Sequence, residues 1–199
     1  MCATGHTING TYLCSVCKNP YNIGDIGQGG GIIFYRNSIG FDFYTGTGNT
    51  KITAYYLEAA PSNLGNFAWT SQALADCLEV DGTETAIGTG KRNTLLILSL
   101  DSLAPAALEC NKYSNNGVSG WFLPSRDEIL ELYKHYAANG KGSYANLTPT
   151  GYYWTSEQVA SGGGQNHRTN AYGSNFGGNG SSSNRGKNNT DYVRAIRAF

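Results

Sequence analysis

Hydrophobic positions along this chain fall in short runs at strand spacing, broken by Gly, Asn and Ser, and only one stretch keeps a clean helical period. Ile32-Ile33-Phe34-Tyr35 is an uninterrupted apolar run, so Gly31 to Arg36 reads as a central strand. Phe41 to Tyr44 and Lys51 to Leu57 flank the turn Thr45-Gly46-Thr47-Gly48-Asn49 and read as a β-hairpin, stopped at Glu58-Ala59-Ala60-Pro61. Residues 62–92 have no period; Trp69 and Cys77 are candidate buried anchors, and Gly88-Thr89-Gly90 is a candidate turn. Thr94 to Tyr113 contains helical stretches, with Pro105 suited to a first turn and Ala106, Ala107 and Cys110 on one face.

The helical period is clearest after Trp121-Phe122-Leu123-Pro124. Ser125-Arg126-Asp127-Glu128 has the Ser-x-x-Glu form of a capping box, and Ile129, Leu132, Tyr133 and Tyr136 follow at i, i+3, i+4 and i+7. Asp127, Glu128 and Glu131 suit the positive end of the helix dipole and need no catalytic role. Further on, Tyr152 to Glu157 and Tyr192 to Phe199 read as strands, anchored in one sheet. Arg194 and Arg197 then point to opposite faces, and one of them is expected to pair with Glu157 or Asp127. Between these strands, residues 161–191 hold eight Gly, five Ser and seven Asn in thirty-one positions, with Tyr172 and Phe176 as the large apolar residues. A segment that buries so little yet returns to a hydrophobic strand reads as a binding surface clamped by a rigid frame.

Composition narrows the function classes. Fourteen basic and fourteen acidic side chains cancel, with no basic run, which argues against nucleic acid as a partner. Gly 27 and Tyr 14 against 14% charged residues suit recognition through aromatic and small polar side chains. No apolar run reaches the roughly 18 residues of a membrane span, so no membrane insertion is expected. No signal peptide opens the sequence. The glycine cluster Gly27 to Gly31 precedes its strand and lacks a following Gly-Lys-Ser/Thr, which excludes a phosphate loop. Cys2, His6, Cys14 and Cys17 in the short N-terminal segment 1–20 are candidate ligands of a structural zinc. The alternatives are a disulfide between two of those cysteines, or the remnant of a preceding disulfide-containing module. Cys77 and Cys110 form either a disulfide or two buried thiols.

Several blocks, in order, carry a resemblance: Gly30-Gly31-Ile32-Ile33-Phe34-Tyr35, Tyr56-Leu57-Glu58-Ala59-Ala60-Pro61, Gly88-Thr89-Gly90 with Asn93-Thr94, Cys110, Gly120 to Ser125 with Asp127-Glu128, Tyr153 to Glu157, and Val193 to Phe199. Over about residues 20–199 the chain resembles the microbial family known as DUF1566 or Lcl C-terminal domain. The resemblance implies an α+β domain over residues 21–199 with a C-type lectin-like fold of the kind shared with formylglycine-generating enzymes. Two helices would pack on small antiparallel sheets, with the termini close together and a long loop-rich C-terminal region.

The C-terminal block also resembles the variable proteins of diversity-generating retroelements, in which scattered positions are diversified within a fixed frame. That resemblance makes residues 158–191 a variable ligand-binding region, with Trp154 and Phe176 as framework. Its ligand-facing set would be Gln158, Val159, Ser161, His167, Arg168, Asn170, Tyr172, Ser174, Asn175, Asn179, Asn184 and Arg185. Tyr172, His167 and Arg168 are expected to contribute most, because aromatic and Arg side chains dominate recognition energetics. The implied partner is a protein or glycan on a target surface, met outside the cell, at a cell surface or on a virion, and no cofactor is implied; the candidate zinc ligands lie outside the stretch the resemblance covers. A fixed-specificity adhesin or lectin is the alternative, although the calcium-lectin signatures Glu-Pro-Asn, Gln-Pro-Asp and Trp-Asn-Asp are absent. An enzyme is not expected: His6, His135 and His167 are scattered, and neither Cys77 nor Cys110 neighbours a His in sequence.

Overall fold

The computed structural model describes residues 21–73, 76–141, 144–160 and 167–199. The candidate zinc ligands Cys2, His6, Cys14 and Cys17 lie outside them, as does Ser161. Among the described residues, eight strands and three α-helices make an α+β arrangement with two small sheets. Strands β1 (Ile32–Tyr44), β2 (Lys51–Ala59) and β8 (Ile196–Ala198) form the first sheet. The second has the order β3-β7-β4-β5-β6, from β3 (Gly65–Phe67), β7 (Asp191–Val193), β4 (Tyr152–Gln158), β5 (Asn170–Asn175) and β6 (Ser182–Gly186). Helices α1 (Gly90–Leu100), α2 (Pro105–Lys112) and α3 (Arg126–Ala138) pack against the sheets. The resemblance implied two helices; the described residues hold three, because Asp101 ends α1 and Pro105 starts α2 within the helical stretches read over Thr94 to Tyr113.

The expected hairpin is present, but its first strand is longer than the pattern indicated. Arg36 stands opposite Tyr56 and Phe41 opposite Ala54, so β1 spends five steps where β2 spends two. Polar Asn37 and Ser38 with Gly40 are therefore a bulge inside one strand, where sequence spacing had suggested a break. Residues 62–92, read as irregular, do contain β3, and Trp69 and Cys77 are buried there as expected.

The C-terminal strand divides between the two sheets. Tyr192 of β7 pairs with Tyr153 of β4 in parallel, while β8 pairs antiparallel with β2. The expectation of one shared sheet holds for residues 191–193 and fails for 196–198, because the chain crosses from one sheet to the other at Arg194-Ala195. This crossing serves two cores. Phe34, Leu57, Phe122, Ile129, Leu132, Tyr136, Tyr153, Phe176 and Ile196 form one cluster, while Trp69, Ile97, Cys110, Trp121, Trp154, Val193 and Ala195 belong to another. Adjacent Tyr153 and Trp154 feed opposite cores, as alternating strand side chains must. Tyr21, the first described residue, sets its ring edge-on to Tyr56 and to the C-terminal Phe199, at 5.6 and 5.7 Å.

Two buried carboxylates tie loops to this frame. Ser125 and Glu128 form the capping box, and Glu128, fully buried, also accepts the Gly88 N–H at 2.9 Å. Its role thus goes beyond complementing the dipole: it couples α3 to the turn that opens α1. Glu58 accepts the N–H groups of Gly29 and Gly31 and pairs with Arg197 at 3.1 Å. The partner expected for a C-terminal arginine, Glu157 or Asp127, is therefore replaced by Glu58; Glu157 pairs with Arg126 instead.

Burial pushes the Glu128 carboxyl up from 4.5 to about 7, against the opposing effect of the Ser125 and Gly88 N–H groups. The folded protein then retains a proton that the unfolded chain releases near pH 4.5. The stabilisation is full below that value, declines as pH rises, and is gone above about pH 7. Glu58 and Glu157 are raised mainly by burial and act in the same direction. Urea unfolding should therefore show stability falling between pH 5 and pH 7.5, with Glu128 contributing on the order of 3 kcal/mol. Glu128→Gln should flatten that slope; an unchanged slope would refute the assignment.

Candidate functional site

Strands β5 and β6 have little of the β-branched or aromatic content that favours strands, so tertiary contacts must hold them. Their ladder runs from Asn170 opposite Gly186 to Ser174 opposite Ser182. Beneath it, the Thr155 hydroxyl donates to Tyr172 O at 2.9 Å, and the Ser174 hydroxyl donates to Gly180 O at 2.8 Å. Phe176 anchors the connecting turn, its ring 4.3 Å from Tyr153 and 5.2 Å from Tyr133. Tyr133 OH donates to Gly178 O at 2.6 Å. Gly180 has φ +75°, and a Cβ there would meet the Tyr133 ring at 2.2 Å, so one glycine of this polar stretch is needed for packing. Asn175 and Asn179 accept the N–H groups of Gly178 and Ser181 through their side-chain oxygens, shaping the same turn.

Strand geometry sorts the expected ligand-facing residues. Tyr172 lies opposite Asn184, and Asn170 shares their face. Arg185, opposite Ala171, is on the other face, where it forks onto Asp191 with two 2.9 Å bonds and covers the Tyr152 ring at 4.1 Å. On the first face the Arg126 guanidinium lies 4.2 Å from the centre of the Tyr172 ring. The side chains of Arg168, Asn170 and Asn184 make no hydrogen bond to another described residue; Arg168 and Asn184 are exposed and Asn170 half-buried. His167 Nε2 stands 3.3 Å from Glu79 Oε2.

Three of the expected residues are interior. Gln158 and Val159 are buried at the end of β4, and Ser174 is fully buried. The side-chain oxygen of Gln158 accepts from the Val80 N–H at 2.8 Å and from Lys187 Nζ at 2.6 Å. Lys187, lowered to about 8 by burial, also covers the Trp69 ring at 4.6 Å. Gln158 and Lys187 therefore join the Leu78–Val80 loop to the sheet, and their polarity serves the interior. Cys77 and Cys110 are both free, buried thiols, so the disulfide alternative is excluded. Burial raises both thiols above their ordinary value, as expected of packed, unreactive sulfur.

The end of β4 is bulged. Trp154 pairs with Gly173 and Gln158 with Ala171, so four steps of β4 match two of β5. The extra residues place Glu157 beside Arg126 at 3.4 Å. This long contact leaves Arg126 Nε and Glu157 Oε2 without hydrogen-bond partners, two of the three such buried atoms among the described residues. Next to them, Glu79, Asp81, Thr83, Glu157, Gln158 and Ala160 help line a cleft of about 200 Å³. Arg126, Glu79 and Glu157 were not among the residues expected to face a ligand. One signal was legible for Arg126: a cation in the first turn of a capped helix opposes the dipole and so invites another explanation. No group of three or more His, Cys, Asp or Glu side chains suited to a metal occurs among the described residues. No helix among them is long and apolar enough to cross a membrane.

No protein-family model matches the chain, and a search of curated proteins returns no match.

Proposed function

We propose that this chain is a ligand-binding display module with a C-type lectin-like fold, the variable protein of a diversity-generating retroelement. Its binding face would comprise Arg168, Asn170, Tyr172 and Asn184, with Arg126 as a fixed neighbour. The observation that carries the reading is a division of labour within one short ladder. The β5–β6 backbone is pinned by Thr155, Ser174, Phe176 and Tyr133, while the side chains of Asn170 and Asn184 in the ladder, and of Arg168 just before it, make no hydrogen bond to another described residue. Side chains with no part in the frame can change at small cost, and a backbone held in advance lowers the ordering penalty of binding. The ligand is a macromolecule on a target surface, met by an aromatic ring flanked by Arg and Asn side chains.

A displayed library randomised at Arg168, Asn170, Tyr172 and Asn184 tests this directly. Most members should unfold cooperatively with stability within about 0.5 kcal/mol per changed site, and selection should yield binders to an unrelated protein target. A library that is largely unfolded, or folded but barren against several targets, would reject the display reading. Ser174→Asn, which forces a larger polar group into the frame, should destabilise by about 2 kcal/mol.

A further inference from the structure

A second cavity, of about 470 Å³, lies away from the β5–β6 surface, and none of its lining residues belongs to 158–191. Its walls are the end of the β1–β2 hairpin, the 117–120 turn, the end of β8, and Lys91 at the start of α1. We propose that this cavity binds a small carboxylate carrying an apolar body, a fatty or arylalkanoic acid in chemical class.

Charge and shape carry the argument. Two cations, Lys91 and Arg197, line the cavity, and none of its lining residues is Asp or Glu. Arg197 is already compensated, since its NH1 pairs with Glu58 and its guanidinium lies 4.5 Å from the Phe199 ring centre. Lys91 is not. Among the described residues no carboxylate lies within ion-pair distance of it, and its ammonium donates only to Asn111 Oδ1, at 3.0 Å. Burial lowers its pKa, the direction expected for a cation lacking a counter-charge. An entering carboxylate would supply that charge and accept from the free N–H groups of the ammonium. Phe43, Val118, Phe199 and Ile52, the last 51% exposed, offer apolar surface for the rest of the molecule. The volume lies within the range of pockets that enclose small ligands. Inorganic phosphate would leave this apolar wall uncovered, and an apolar cation would meet Lys91 with like charge.

Amide-resolved NMR titration of the full chain with octanoate, octyltrimethylammonium and inorganic phosphate is the test. Octanoate should saturably shift the Gly117 to Gly120 amides, whereas the other two probes should bind at least about tenfold more weakly. Lys91→Met should weaken octanoate about tenfold, and Ile52→Asp, at an exposed position, should abolish the shifts. The proposal is overturned if octanoate leaves those amides unmoved, if the cationic probe or phosphate binds as tightly, or if Lys91→Met binds octanoate like the wild type. Should Lys91→Met fail to fold, the headgroup comparison on the wild type and Ile52→Asp decide by the same criteria.

Discussion

Replacing Arg194 by methionine is expected to remove about 4 kcal/mol of stability, a large share of what a domain of this size possesses. Arg194 is fully buried at the point where the chain leaves β7 for β8. Its guanidinium donates to Asn63 Oδ1 at 2.9 Å, to Asn146 O at 2.8 Å and to Ala60 O. No carboxylate of a described residue pairs with it, and burial lowers it to about 10, so carbonyl and amide oxygens, helped by the Tyr153 hydroxyl, offset its desolvation. One planar group thus joins the chain after β2, the segment after α3, and the crossover between sheets. Methionine would fill much of the volume and leave three acceptors unpaired. Lysine keeps the charge but lacks the rigid fork that reaches three directions, so Arg194→Lys should recover less than half of the loss. Urea denaturation reads this as a lower midpoint at unchanged slope; a loss under about 1 kcal/mol would show that the crossover is held by packing alone.

Gly88→Ala is expected to cost about 3 kcal/mol or more. Gly88 has φ +93°, and a Cβ there would stand 1.9 Å from the carbonyl oxygen of Asp42. The neighbour is backbone of β1 and cannot rotate away. The same residue accepts the Tyr44 N–H at 3.1 Å and donates to Glu128, so β1 or α3 must shift to make room. Gly46→Ala is the matched control: nothing lies within 4 Å of a Cβ there, and its effect should stay within about 0.5 kcal/mol. Equal losses at the two positions would mean that the close approach at Gly88 is not what requires glycine. Parallel thermal melts of the two variants distinguish these outcomes.

The helix at 126–138 was legible because its cap, its period and its buried face are local signals that agree. The hairpin was legible for the same reason, but its bulge at 37–40 was not, since polar residues with a glycine look alike in a turn and in a bulge. The crossover at Arg194 was hidden because Tyr192 to Phe199 alternates throughout, and only tertiary contacts determine that its two halves join different sheets. Within the C-terminal region, composition marked the surface as a whole but could not sort it. Gln158 and Ser174 resemble Asn170 and Asn184 chemically; what separates them is that Lys187, Val80 and Gly180 supply interior partners to the first two. Arg126 lies thirty-two residues before the region, so no local pattern could bring it to Tyr172.

Deep sequencing of the encoding gene across one source population most directly tests the proposed division of residues 158–191 into frame and variable face. Amino-acid differences are predicted to concentrate at Arg168, Asn170, Tyr172 and Asn184, at codons derived from adenine. Trp154, Gln158, Ser174, Phe176, Lys187 and Arg194 should stay fixed. Differences spread evenly along the chain, or a region 158–191 without variation, would contradict the diversified-binder account and leave a protein of fixed specificity.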